Sequence, residues 1–185
     1  MTMRSKGKTS ASTGVAADKL TGRHLAHLGK ARTSKETVLR TLPKFTSEGI
    51  IFVSFRHKGK ESRATDLDII NAIQAGLPAT VMLETAKSLQ LPTTTIESII
   101  SRRTLERRLK AHQLLSVEES DKLVRLIQTI SRAVEVFGDK GTALQWMKEP
   151  NRAMGGRTPF SLVNTSPGVE LIKDILGRIE HGVYS

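Results

Sequence analysis

Residues 116–138 read SVEESDKLVRLIQTISRAVEVFG, and this stretch settles the fold class. Ser116 stands three residues before Glu119, the spacing of a capping box, in which each side chain accepts the other residue's backbone N–H at a helix start. Leu123, Leu126, Ile127, Ile130, Val134 and Phe137 then recur at steps of three and four, which gathers them on one helical face. Gly138 is the natural stop. The spacing predicts one long amphipathic helix that can pack on both its upstream and its downstream neighbours.

Downstream, Gly141–Lys148 is helix-forming, Pro150-Asn151 breaks it, and Gly155-Gly156 allows a tight turn after Met154. Thr158-Pro159 and Ser166-Pro167 each join a hydroxyl cap to a proline at the first helical position. Val169, Ile172, Ile175, Leu176 and Ile179 form the apolar stripe of a last helix, which stops near Gly182. Trp146 is expected to anchor the core of this unit.

Upstream, Thr65 or Asp66 caps a helix through Asn71 to Ala75, and Gly76 ends it. Pro78 fits the first turn of a helix running to about Gln90, and Pro92 separates it from a short helix over Thr93–Ile100. Ser101 caps a further helix from Arg102 to about Ala111. Ile50–Phe55, IIFVSF, is apolar and β-prone, and reads as a short strand or a buried extended piece. His57–Arg63 reads as a basic turn or loop. Leu20–Arg40 has only weak periodicity, broken by Gly22 and Gly29. Residues 1–17 carry almost no large apolar side chain, so a disordered basic tail is expected there.

The chain therefore reads as mostly all-α, with a short N-terminal strand and no internal repeat. It divides into the tail (1–17), a basic region of undefined fold (18–64), a first helical unit (65–115) and a C-terminal helical unit (116–185). The boundary falls between His112 and Ser116.

The charge is uneven. Residues 1–65 hold 14 basic and 4 acidic residues, 66–115 hold 6 and 5, and 116–185 hold 9 and 9, which together give the net +11 of the 185-residue chain. The first third is the electrostatic handle, and nucleic acid is the polyanion it suits. With five Phe, one Trp and one Tyr, the chain is poorly equipped to stack single-stranded bases, so duplex is the favoured form. There is no Cys, which excludes disulfides, thiolate metal sites and a Cys nucleophile. No apolar run is long enough to span a membrane, and the N-terminus lacks the apolar region of a secretory signal, so a cytoplasmic protein is expected.

Residues 102–110, RRTLERRLK, set Leu105 and Leu109 on one helical face, with Arg103, Arg107 and Lys110 opposite and Arg108 and Thr104 flanking. The apolar pair docks the helix while the basic side chains face outward. A helix fits the major groove of a double-stranded operator, where Arg donates two hydrogen bonds to guanine and other cations reach phosphate. The candidate DNA contacts are Arg102, Arg103, Thr104, Arg107, Arg108 and Lys110. Glu106 is placed to pair with Lys110 at i,i+4. In the C-terminal unit, His181 has no partner set for a metal, and no Ser is placed as a nucleophile, so no catalytic residue, metal or cofactor is expected.

The C-terminal box resembles the toxin-binding domain of the MbcA/ParS/Xre antitoxins, partners of RES-domain toxins. The resemblance rests on Trp146, Pro150, Asn151, Ala153, Met154, Gly155, Gly156, Thr158 and Pro159, then Thr165 and Gly168, then the run Gly177-Arg178-Ile179-Glu180-His181-Gly182-Val183-Tyr184. It extends through an Xre-like helix-turn-helix carried by Ser101, Arg102 or Arg103, Thr104, Leu105, Arg107 and Arg108, and covers about residues 65–185. One departure is Ile99, where family members place Gly before the Ile-Ser of the turn. A short or distorted supporting helix is expected in consequence.

The resemblance implies an antitoxin that neutralises a RES-domain, NAD-consuming toxin by blocking its active-site entrance. It also implies a dimer that takes part in repressing its own promoter. The NAD chemistry belongs to the toxin, so the chain is not expected to be an enzyme. Arg178, Glu180, His181 and Tyr184 are the candidate inhibitory contacts, because the helix end and its Gly182 turn can direct them into a cleft. Ser185, Asn151 and Arg157 complete the set. The competing reading is a stand-alone helix-turn-helix regulator whose C-terminal unit only dimerises.

Overall fold

The computed structural model describes residues 40–45, 50–55 and 61–183. The expected tail at 1–17 and nearly all of the weakly periodic 20–40 stretch lie outside the described residues, as do Tyr184 and Ser185.

Among the described residues, three strands, β1 (Arg40–Phe45), β2 (Ile50–Phe55) and β3 (Glu61–Arg63), form an antiparallel sheet in the order β1-β2-β3. Leu42 pairs with Val53 across β1 and β2, and Val53 pairs with Arg63 across β2 and β3. β1 is an edge strand, which is why Pro43 can sit in it: a proline there removes no central ladder bond. The strand expected at Ile50–Phe55 is present. The loop expected over His57–Arg63 is corrected at its end, where Glu61–Arg63 pairs with β2. Three polar residues carry no alternation of their own, and the ladder of the longer neighbour fixes them in extended form.

Beyond the sheet, the described residues form eight α-helices: α1 (Asp66–Ala75), α2 (Ala79–Ser88), α3 (Thr93–Ile99), α4 (Arg102–Lys110), α5 (Val117–Phe137), α6 (Lys140–Lys148), α7 (Pro159–Leu162) and α8 (Ser166–Glu180), with a 3-10 turn at Arg152–Met154. The start signals work as hydrogen bonds. Thr65 and Asp68 form a reciprocal capping box at α1, and Ser116 and Glu119 form one at α5, where the Glu119 carboxylate accepts the Ser116 N–H at 2.7 Å. Two prolines sit one place away from expectation. Pro78 is the N-cap of α2, and the cap of α8 is Thr165, whose hydroxyl accepts the Gly168 N–H at 3.2 Å. Ser166 is released from capping and accepts a bond from Arg125 Nη1 at 2.7 Å.

The core runs without interruption from Ala72 to Leu176. Leu77, Met82 and Leu89 supply it from the first helices, Leu123, Leu126, Ile127 and Ile130 from α5, and Met147, Ile172 and Leu176 from the last ones. Each fully buried aliphatic contributes about 1.5–3 kcal/mol of burial. α5 packs against α1, α3, α6 and α8, and meets α8 from Arg125, bonded to Ser166, to Arg132, paired with Glu180. The Leu77 N–H donates to Ser120 Oγ on α5 at 2.9 Å, inside the core, and the Leu115 N–H donates to the Leu77 carbonyl at 2.7 Å. Gly76 makes that approach feasible. Its φ is +82°, and a Cβ there would lie 2.6 Å from the Leu115 carbonyl oxygen. Gly168 is required for space alone, since a Cβ would lie 2.1 Å from the Leu162 carbonyl oxygen where α7 abuts α8.

Trp146 does not fill the core. It is half-buried and packs on Phe137, with ring centroids 5.6 Å apart, over the junction of α5 and α6. Ala143, Leu144 and Met147 turn inward instead. The inward face of α6 is thus set by the three-residue step from Leu144 to Met147, and Trp146 falls beside it.

Candidate functional site

α3 and α4 form the helix-turn-helix. The turn is Ile100-Ser101, with Ile100 extended at φ −148° and its N–H bonded to the Ile96 carbonyl. Ile99 and Ile100 are both buried, so the turn is held by apolar anchoring and no residue in it takes a left-handed conformation. α3 is short, seven residues, as Ile99 in the place of Gly predicts, yet it is regular helix. The Ser101 hydroxyl accepts the Thr104 N–H and lies 2.8 Å from the Thr104 hydroxyl, so Thr104 is engaged at the cap.

α4 has no fully buried residue. Leu105 and Leu109 are half-buried and dock it on the core, next to α2. Arg103, Arg107 and Lys110 are outward-facing and form no ion pair among the described residues. Arg102 pairs with Glu106 at 3.0 Å, so the i,i+4 partner of Glu106 is Arg102 and not the expected Lys110. Arg108 belongs to the fold. Its side chain is only 19% exposed, Nη2 is 3.1 Å from Glu119 on α5, and Nη1 donates to the Leu114 carbonyl. The structure therefore brings three of the six candidate cations and hydroxyls together as a free basic face, and engages the others in caps and pairs.

At the other end, Asn151 closes a loop with Arg157. The Asn151 N–H donates to the Arg157 carbonyl at 3.0 Å, and Asn151 Oδ1 accepts the Ala153 N–H at 2.9 Å. That leaves the exposed Arg157 side chain as the outward group of the loop. On α8, Arg178 pairs with Asp174 one turn back. Glu180 pairs with Arg132 of α5, and that carboxylate, ahead of any other group, raises the Arg132 guanidinium above its ordinary value. His181 is exposed, and its N–H closes the helix on the Gly177 carbonyl. Gly182 then turns the chain, the Val183 N–H bonds the Arg178 carbonyl at 2.9 Å, and Val183 is 56% exposed. The partners of Arg108 and Glu180 were invisible in the sequence, because eleven and 48 positions separate them from Glu119 and Arg132.

Among the described residues, no group of His, Asp and Glu is arranged to hold a metal, and no helix is long and apolar enough to cross a membrane.

Residues 132–182 match the profile of the antitoxin Xre/MbcA/ParS C-terminal toxin-binding domain, and residues 68–128 match that of the antitoxin Xre-like helix-turn-helix domain. Both matches run into α5, which serves each unit. The chain is 32% identical over 119 residues to an antitoxin Xre of Pseudomonas putida, an alignment covering 64% of this chain and 75% of that one. It is 40% identical over 87 residues to an antitoxin Xre of Yersinia enterocolitica, covering 46% of this chain and 59% of the relative. A Prs ADP-ribosylating antitoxin of Sphingobium is 22% identical over 134 residues, 66% of this chain and 84% of that protein. The chain spans under three fifths of the length of the Yersinia relative and of a second antitoxin Xre, from Photorhabdus laumondii.

Proposed function

The chain belongs to the Xre antitoxin family, and we propose that it binds and neutralises a RES-domain, NAD-consuming toxin in the cytoplasm and represses its own operon as a dimer. Its role is that of a binding protein rather than an enzyme. The carrying observation is the match of residues 132–182 to a toxin-binding domain whose last helix ends in an exposed turn. α8 is anchored by five buried residues, from Gly168 to Leu176, while His181, Gly182 and Val183 project beyond it. A rigid helix that presents a short exposed end suits insertion into a cleft. His181, Arg178 and the residues after Val183 make the inhibitory contact, with Arg157 beside them in the set. Glu180 acts through Arg132, which fixes where the helix end points.

On the DNA side, Arg103, Arg107 and Lys110 read or clamp the operator, because they are the cations of α4 without an ion pair among the described residues. Arg102 contributes once Glu106 releases it. Arg108 and Thr104 hold the helix in place.

Coexpression with a RES-domain toxin tests the reading. The full chain is expected to copurify with the toxin and to suppress NAD loss, and a chain lacking residues 178–185 is expected to stay folded and to do neither. A folded deletion variant that still protects would transfer the inhibitory contact elsewhere. Absence of capture by the full chain would favour a stand-alone regulator.

A further inference from the structure

A cleft of about 400 Å³ opens between α3 and α7. Its wall takes Thr94, Thr95 and Ser98 from α3, Lys148 from the end of α6, and Phe160 and Asn164 from the segment around α7. Neither the DNA-facing residues of α4 nor the exposed end of α8 belongs to it. No Asp or Glu lines it, and Lys148 forms no ion pair among the described residues. The Ser98 and Ser161 hydroxyls in its lining donate to the Thr95 and Thr158 carbonyls, which leaves the Lys148 ammonium, the Thr95 hydroxyl and the Asn164 carboxamide as donors without a partner among the described residues.

Thr95 points the same way on separate grounds. The residue is 4% exposed, and its hydroxyl has no hydrogen-bond partner among the described residues. The comparable buried threonines on α2 and α5, Thr85 and Thr129, each donate to the carbonyl one turn back at 2.7 Å. Thr95 does not use that outlet. The rest of the Thr95 side chain is enclosed while its hydroxyl reaches the cleft, so the unused donor is held at the wall where an acceptor from outside the chain can meet it. Asn164 is half-buried and likewise has no side-chain partner among the described residues.

We infer that this cleft is a binding site for a phosphate group, with Lys148 supplying the charge and Thr95 and Asn164 the neutral donors. Charge-assisted bonds from an ammonium suit such an oxyanion, and the absence of carboxylates from the lining removes the repulsion that would oppose it. Phe160 and Pro92 give an apolar flank on which the organic part of a phosphate ester can rest.

Calorimetric titration of the full chain with inorganic phosphate and with phenyl phosphate, at fixed ionic strength in chloride, tests this. Saturable binding is expected, weakened about tenfold by T95V and by K148M, the scale of one lost charge-assisted or buried hydrogen bond. T95S, which keeps the hydroxyl, and K140M, which removes a lysine outside the cleft, are expected to bind as the parent does. No saturable binding, or equal binding by K148M and the parent, would overturn the assignment. Titration in the presence of nonspecific duplex DNA separates two sources of the same chemistry. Competition identifies a backbone phosphate as the occupant, and its absence identifies a free phosphate ester; either supports the site.

Discussion

α4 and α8 are both amphipathic helices that carry residues proposed to bind, yet they are held in opposite ways. α8 buries Gly168, Val169, Ile172, Ile175 and Leu176. α4 buries nothing fully and rests on two half-buried leucines, a serine cap and the Arg108–Glu119 pair. One helix is fixed by burial, which frees its tip. The other is fixed by its edges and keeps one face of free charge. A basic sequence run is therefore not the same thing as a basic surface: of the five cations in RRTLERRLK, one serves the fold and one is paired within the helix.

The widest separation between the two helices is expected in core truncation. Ile172→Ala should cost about 4 kcal/mol in chemical denaturation, as for a fully buried aliphatic, and Leu105→Ala about 1–2 kcal/mol. Equal costs would mean that the two helices are held alike. Next comes Gly168→Ala, whose added Cβ meets a backbone carbonyl that cannot retreat without moving α7. A loss of about 2–3 kcal/mol is expected. Within α4 the contrast becomes one of charge. Arg108→Ala should destabilise by about 1–2 kcal/mol, since it leaves Glu119 part-buried and unpaired. Arg103→Ala should leave stability within about 0.5 kcal/mol while weakening duplex binding and flattening its salt dependence. A filter-binding series over salt concentration, run beside denaturation, reads both.

The smallest effect lies in the caps. Ser101 at α4 does not titrate, whereas Asp139, the cap of α6, does. The Thr142 backbone N–H and hydroxyl donate to the Asp139 carboxylate and hold it below its ordinary value of 3.8. A depressed folded value means the stabilisation is present above about pH 3.8 and is lost as pH falls through the lower folded value. Asp139→Asn should therefore flatten the acid limb of the stability profile, and an unchanged acid limb would show that the cap is not coupled to folding.

The helix starts were legible because a cap is a local event. Thr65, Ser101 and Ser116 each sit within three residues of the N–H they accept, so spacing alone reveals them. The strand at Ile50–Phe55 was legible by its apolar run, and β3 was not, because three polar residues gain their conformation only from a neighbour. Pairings were the least legible. Glu119 both closes the cap of α5 and receives Arg108, and nothing in its position distinguishes the second task from the first. Glu106 had two suitable partners at four residues' distance, Arg102 and Lys110, and the structure selects Arg102. The candidate phosphate cleft was not legible at all, since its walls come from α3 and α7, stretches far apart in the sequence.

α5 runs 21 residues, about 30 Å, through both units, with Ser120 bonded to the first and Arg132 paired to the second. A protease cut or an inserted loop near its middle would deprive each fragment of half its interior, so neither half is expected to survive as a soluble piece. The molecule should melt in a single transition. Under the proposed function, a toxin that seizes the far end of α8 grips a beam whose other end carries α4, so capture at one extremity is expected to bear on how the proposed dimer meets a duplex.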